Sequence, residues 1–438
     1  MGTRGRVSSA YHRSVSRENV QSSMRALMLT PDEGHLDRRI AQEAASLASD
    51  GWMVEIYPAV DPALTFGGVL APGVRLLASP HTPTPASTQK RALRTLRRRL
   101  GPILPPLDRL VEAARYRRSD RARALADSNA PHLLGLEVYD LVFAHDVPVF
   151  PLAARLAAAW DCPIVCDLHE IFPEQDEHFT TETARRYWRS VEEAGISAAG
   201  GIICVNAAVV DYVRDRYAPQ ATTVVIHNSM PYVEPDRLAG RTIRAVYPIP
   251  DGVRVMLFAG SLRPYANLEK VIGGFDQSRL EGWVLAVLGD GPLRGALEEM
   301  VRRRGLERRV FLGSRVPESE LIEIAASADV GLLPYEAVGL NHTIATPNKL
   351  FEYMQARLPM ATSQLPMIEK ILGSSGIGGY VDYSSESTAA TGLARFVAAT
   401  LPGIEPDALE AAARRYSWER EEPALFKVVD AAMRRGRR

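Results

Sequence analysis

The sequence predicts an α/β protein with two doubly wound parallel-sheet domains and a cleft between them. Three observations carry this. Short apolar runs alternate with amphipathic stretches in two sets, separated by a proline-rich break. Many of the runs are apolar throughout, as strands covered on both faces are. The length of 438 residues exceeds what one hydrophobic core ordinarily serves and suits two domains of about 200 each.

Residues 1–23 are basic and polar and read as a disordered tail. The first set follows. RALMLT is a strand, TPDEGH a loop, and LDRRIAQEAASLASDG a helix ended by Gly51. MVEIYPA, YDLVFAHD, PIVCDLHE, IICVN and TTVVIHNS read as further strands. VFPLAARLAAAW, TARRYWRSVEEAGISAA and AAVVDYVRDRY read as helices between them. The first domain is thus expected over 24–230. Residues 231–250 hold four prolines with little periodicity and read as a linker. The second domain, 251–405, starts with the strand VRVMLFAG and the helix NLEKVIGGFDQ. It continues through WVLAVLGDG, PLRGALEEMVRRRG, RVFLG, ELIEIAASA, DVGLLPYE, PNKLFEYMQA and LPMATS. Residues 406–438 are expected to form terminal helices.

Residues 90–123 interrupt the first set with twelve Lys/Arg against Asp108, Glu112 and Asp120, interleaved with leucines at helical spacing. Two readings stand side by side: a solvated insertion helix, or a basic amphipathic surface for anionic lipid or a lipid-phosphate acceptor.

Composition excludes several classes. Lys+Arg and Asp+Glu are both 52, so no uniformly basic nucleic-acid surface is expected. Three cysteines are too few for a disulfide scaffold and fit a reducing, cytoplasmic setting. Cys162 and Cys166, in DCPIVCD, lack a nearby Cys/His set and read as buried thiols rather than metal ligands. No uncharged apolar run reaches the roughly 18 residues of a spanning helix. G-x-G-x-x-G after the first strand, G-x-x-x-x-G-K-[ST] and G-x-S-x-G are all missing, which weighs against dehydrogenase, P-loop and serine-hydrolase readings.

The chemistry points to strand-end loops of the second set. In FAGSLRPYANLEKVI, Gly260 would let a ligand approach the backbone, and Arg263 would add a bidentate contact to phosphate ahead of a helix. The alternative is an ordinary turn with a solvent arginine. VLGDGPL places Gly289 and Gly291 in a tight turn, again with a plain turn as the alternative. The most informative loop is LLPYEAVGLNHTIATPNKLFEYMQARLP. There Pro347 opens a helix whose first turn holds Asn348, Lys349 and Glu352. Free N–H groups and Lys349 suit a diphosphate, and Glu352 suits two ribose hydroxyls. A solvent carboxylate is the equal alternative for Glu352.

PNKLFEYMQARLP, with FAGSLRPYANLEKVI, LGDGPL, RVFLGSRVP, ADVGLLPY, YDLVFAHDVPVFPLA and IVCDLHEIFPE, resembles the retaining glycosyltransferase family 4 group, over about residues 24 to 435. The resemblance implies the GT-B fold: two Rossmann-like domains with an interdomain cleft, and a last helix after ARRYSWERE returning to the first domain. It implies that Glu352 binds the donor ribose as the second acid of an E-x7-E motif, whose first acid is replaced by Ile344. Backbone amides near Ile344, Ala345 and Thr346 would substitute. Arg263 would bind the donor phosphates, with Lys349 replacing a basic residue absent at Asn267. Arg315 and Val316 would lie nearest the base, and Gly34 on the acceptor side. His169 would face the transferred sugar, although by spacing alone it is equally an inert histidine. Arg263, Lys349 and His169 are thus the catalytic candidates, and Gly260, Gly289 and Asn348 join the donor-binding set. The expected reaction moves a sugar, with retention, from a nucleotide-diphosphate sugar to a glycan, lipid-linked or small-molecule acceptor. No metal or resident cofactor is expected. The alternatives are a same-fold epimerase and a non-catalytic sugar-nucleotide binder serving a partner.

Overall fold

A computed structural model describes residues 23–66, 68–79, 120–175, 181–278 and 280–436. The first apolar set forms a seven-stranded sheet: β1 (Arg25–Thr30), β2 (Met53–Pro58), β3 (Val74–Leu76), β4 (Leu141–His145), β5 (Ile164–Leu168), β6 (Gly201–Cys204) and β7 (Thr222–Val225). Its order is β3-β2-β1-β4-β5-β6-β7, and every pairing is parallel. The second set forms β8 (Arg254–Ala259), β9 (Trp283–Leu288), β10 (Val310–Gly313), β11 (Val330–Leu333), β12 (Met360–Thr362) and β13 (Gly378–Tyr380). Their order is β10-β9-β8-β11-β12-β13, again all parallel. The expected α/β architecture of two doubly wound sheets is the one observed.

The central strands are apolar on both faces because helices cover both. Leu27 and Leu29 of β1 enter one core, and Ala26 and Met28 the other. In the second sheet Val255 and Leu257 face one core, and Met256 and Phe258 the opposite one. The strand order reverses between β1 and β4 and between β8 and β11. Crevices open at such switch points beyond the carboxyl ends of the strands, and the residues of interest gather there.

The helix Trp418–Gly436 lies on the first sheet, not the second. Its Trp418, Leu425, Val428, Val429 and Ala432 join the core on one face of that sheet, packed against β5, β6 and β7, and the Trp418 indole N–H donates to Ser46 Oγ at 2.9 Å. Within 231–250, the helical turn Ile243–Val246 is followed by Tyr247 and Ile249, and Ile243, Tyr247 and Ile249 are buried in the second domain's core. This stretch is therefore anchored to the second domain at its carboxyl end. Cys166 and Cys204 are buried on β5 and β6, and Cys162 is half-buried just before β5.

The expected tail at 1–22, and 90–119 of the basic run, lie outside the described residues. From the end of that run, Asp120 caps the helix Arg121–Leu133 by accepting from Arg123 N–H. Among the described residues, no helix is long and apolar enough to cross a membrane.

Candidate active site

On the second-domain side, Gly260 directly follows β8 and adopts φ 149°. A side chain there would be strained by that φ, and its Cβ would lie 2.5 Å from Lys349 Nζ. Lys349 comes from the helix Asn348–Gln355, which follows the β11 loop. Pro347 is the N-cap rather than the first helical residue, and no side chain caps this terminus. The terminus is thus polarised toward an anion. The Lys349 ammonium bonds to the Tyr335 hydroxyl and sits over the Phe258 ring at 4.5 Å and the Tyr335 ring at 4.8 Å. Burial pushes its pKa down to about 8, opposed by the nearby Glu352. Lys349 therefore still carries charge at neutral pH.

Glu352 lies one turn further on, in the second turn of the helix. It is buried, so the solvent-carboxylate alternative is excluded. Its Oε1 lies 3.3 Å from Arg38 Nη1, and the same guanidinium pairs with Glu318. Arg38 begins the helix Arg38–Ser49 after β1, so this contact crosses from one sheet to the other. Gly260, Arg315, Val316, Glu318, Tyr335, Asn348, Lys349 and Glu352 line one cavity. Asp290 accepts from the Arg315 backbone N–H at 3.1 Å and holds that loop.

A second cavity opens between the domains. His169 and Asn206 line it from the first domain, and Tyr265, Tyr335, Ile344, Ala345, Thr346 and Asn348 from the second. Tyr335 and Asn348 belong to both cavities, which are therefore adjacent. The Asn206 amide donates to the Ile344 carbonyl at 2.9 Å and to Thr346 Oγ1 at 3.3 Å. The Asn341 amide donates to Glu170 and its carbonyl accepts from Ile171 N–H at 3.0 Å. These bonds staple the β11 loop across the cleft.

His169 follows β5. Its Nε2 is 2.8 Å from Asp167 Oδ2, and its Nδ1 lies 3.8 Å from Asp37 and 3.9 Å from Asp146. Burial alone would lower its pKa, but the Asp167 and Asp146 carboxylates overcome that and raise it well above the usual range. Asp146 takes φ 61°, a conformation rare outside glycine, while its Oδ1 accepts the His169 backbone N–H. Burial raises the Asp146 carboxyl to about 7, with the His169 charge opposing it. His145, Asp167 and His169 bring three possible metal-ligand atoms within 4.8 Å of one another. Arg39 Nη2 stands 2.5 Å from the other Asp167 oxygen, so a guanidinium already neutralises this cluster's carboxylate.

Comparison with known proteins places this arrangement. Residues 36–229 match the family described as glycosyl transferase 4-like domain, and residues 240–415 match glycosyl transferases group 1. The chain belongs to the group 1 glycosyltransferases. A glycogen synthase of Mycobacterium tuberculosis is 25% identical over 306 residues, covering 67% of this chain and 69% of that protein. Sucrose-phosphate synthase from Thermosynechococcus elongatus is similar in structure, with TM-score 0.63 and 16% identity, covering 93% and 98% of the two chains. Anabaena HepE, solved in complex with UDP and glucose, gives TM-score 0.61 at 16% identity, covering 93% and 100%. The fold is GT-B, as the resemblance implied.

Not every sequence-predicted residue of this glycosyltransferase reaches the cavities. Arg263 is half-buried, precedes the short turn Pro264–Ala266, and lines neither. Gly289 also lines neither; a Cβ there would overlap the Gly260 carbonyl oxygen, so its small size serves the close approach of two strand-end loops. Gly34 is exposed with φ 83°, donates its N–H to Asp61 at 2.7 Å, and stands clear of both cavities. Sequence reasoning missed Arg38, Arg39, Asp146, Asp167 and Tyr335 as members of the site. A signal existed for two of them: Arg39 falls at core spacing with Ile40, Ala44 and Leu47, and Asp167 interrupts the apolar strand IVCDL.

Proposed function

We propose that this glycosyltransferase uses a nucleoside-diphosphate sugar as donor. The base lies near Arg315 and Val316, the ribose hydroxyls bond to Glu352, and the diphosphate meets Lys349 and the uncapped terminus at Asn348. The sugar then projects past Tyr335 into the interdomain cavity, toward His169. The carrying observation is the adjacency of the two cavities at Tyr335 and Asn348. One is built for a polar, anionic ligand and the other faces both domains. The HepE complexes, with UDP and with UDP-glucose, lend support from the same fold.

In this reading Lys349 and the helix terminus stabilise charge that grows on the leaving diphosphate, and they do so in a preorganised, partly dehydrated site. Transfer proceeds with retention: the leaving phosphate accepts the proton of the acceptor hydroxyl, which attacks from the same face. The ligand is held by side chains and backbone of this chain, with no metal or resident cofactor in the scheme. The acceptor enters from the first domain as a glycan, a lipid-linked or a small hydroxylated molecule. The +9 run at 90–123 favours an anionic membrane surface as its location, which keeps the enzyme cytoplasmic and peripheral. Incubation with UDP-, GDP- and ADP-sugars tests the reading. One of them should release nucleoside diphosphate, and proton NMR of the freshly formed product should show the donor's anomeric configuration. Binding without turnover of any donor or acceptor would favour a non-catalytic binder instead.

A further inference from the structure

His169 receives charged neighbours from three sides. Asp167 approaches from β5, Asp146 from the end of β4, and Asp32, Asp37, Arg39 and Glu43 from the loop after β1 and the helix Arg38–Ser49 that it enters. Asp167 differs from the rest. It is fully buried, lines neither cavity, and accepts three donors: His169 Nε2 at 2.8 Å, His145 Nδ1 at 3.1 Å and Arg39 Nη2 at 2.5 Å. Arg39 is itself almost fully buried and is held from its other side by Glu43, 3.2 Å from its Nε.

We propose that Asp167, anchored by Arg39, is a positioning residue that locks the His169 ring, its Nε2–H turned onto the buried carboxylate, in the orientation in which His169 lines the cleft. The proposal rests on the reading that His169 faces the transferred sugar. Its physical basis is geometric. One carboxylate oxygen takes both histidines while the other is pinned by a guanidinium, so Asp167 cannot rotate without breaking a buried ion pair. A ring held at Nε2 has one free nitrogen, and that nitrogen lies on the side of Asp37 and Asp146.

The first arm reads the ring's orientation in the wild-type protein. Long-range proton–nitrogen NMR, with His169 assigned by its disappearance in His169→Gln, should show an Nε2 proton protected from exchange with solvent, as a bond to buried Asp167 requires. Rapid solvent exchange at both ring nitrogens overturns the proposal. The second arm measures UDP-glucose hydrolysis, or that of the nucleotide sugar found to turn over. Asp167→Asn should lower kcat about 10- to 100-fold with KM changed less than threefold. It should add no further loss in the His169→Gln background, where multiplying losses would overturn the proposal. Full activity of His169→Gln alone would overturn the reading of His169 on which the proposal rests.

Discussion

Glu352 pairs with Arg38 across the cleft, and a ribose bonded to the same carboxylate would compete with that pair. Its Oε1 is 3.3 Å from Arg38, and the two side chains are 12% and 15% exposed. A ribose hydroxyl bonded to a carboxylate is worth about 1.5–3 kcal/mol. The Arg38 pair is largely buried and shared with Glu318; desolvation offsets much of its attraction, leaving at most about 1 kcal/mol. Glu352→Gln removes both the acceptor charge and the competing ion pair. The net loss is about 0.5–2 kcal/mol, or roughly 2- to 30-fold weaker donor binding. Arg38→Ala frees the Glu352 carboxylate for the ribose but leaves it and Glu318 without their shared countercharge, so it should cost stability while donor binding is not weakened. Isothermal titration with the cognate nucleoside diphosphate, at fixed salt, reads both. Glu352→Gln binding within twofold of wild type would refute the ribose assignment. Weaker binding by Arg38→Ala would show that Arg38 grips the donor rather than competing with it.

Four further outcomes follow from the same geometry. Lys349→Ala should cut turnover at least about tenfold while weakening the free nucleoside less than twofold, because the ammonium meets the diphosphate and not the base; kinetics paired with nucleoside titration checks this. Because Lys349 loses its proton near pH 8, donor affinity should fall as pH rises from 7 to 9, and that slope should vanish in Lys349→Ala. Glu43 is buried, which raises its pKa to about 8 against the pull of Arg39; the folded state keeps a proton that the unfolded chain releases above about pH 4.5, so this group's stabilisation falls between those values, and denaturant melts of Glu43→Gln should lack that part of the pH slope. Gly289→Ala should lose about 1–3 kcal/mol of stability or more, read by urea melts, since the added methyl meets a backbone carbonyl that has nowhere to move.

The sheets were legible because central strands leave long apolar runs, and RALMLT, VRVMLFAG and WVLAVLGDG each became a strand. The edges were not. β3 and β13 have three residues each, too few to display a period. Of the site, the contiguous segment was readable: Asn348, Lys349 and Glu352 share one helix, and Arg315 and Val316 one loop. What escaped were pairings across large sequence separations. Arg39 and Asp167 meet 128 residues apart, and Arg38 and Glu352 meet 314 apart. A helix-face count marks Arg39 and Glu43 as core positions, but a buried charge names its partner only when the fold is known. The reverse held at Gly289, where a glycine that looked like a ligand turn is explained by backbone crowding.

The most direct measurement is the position of a bound nucleoside diphosphate in a crystal of this enzyme. The account predicts its ribose within hydrogen-bond distance of Glu352, its diphosphate beside Lys349 and the Asn348 terminus, and its base against Val316. A nucleotide seated elsewhere, with Glu352 still paired to Arg38, would contradict it.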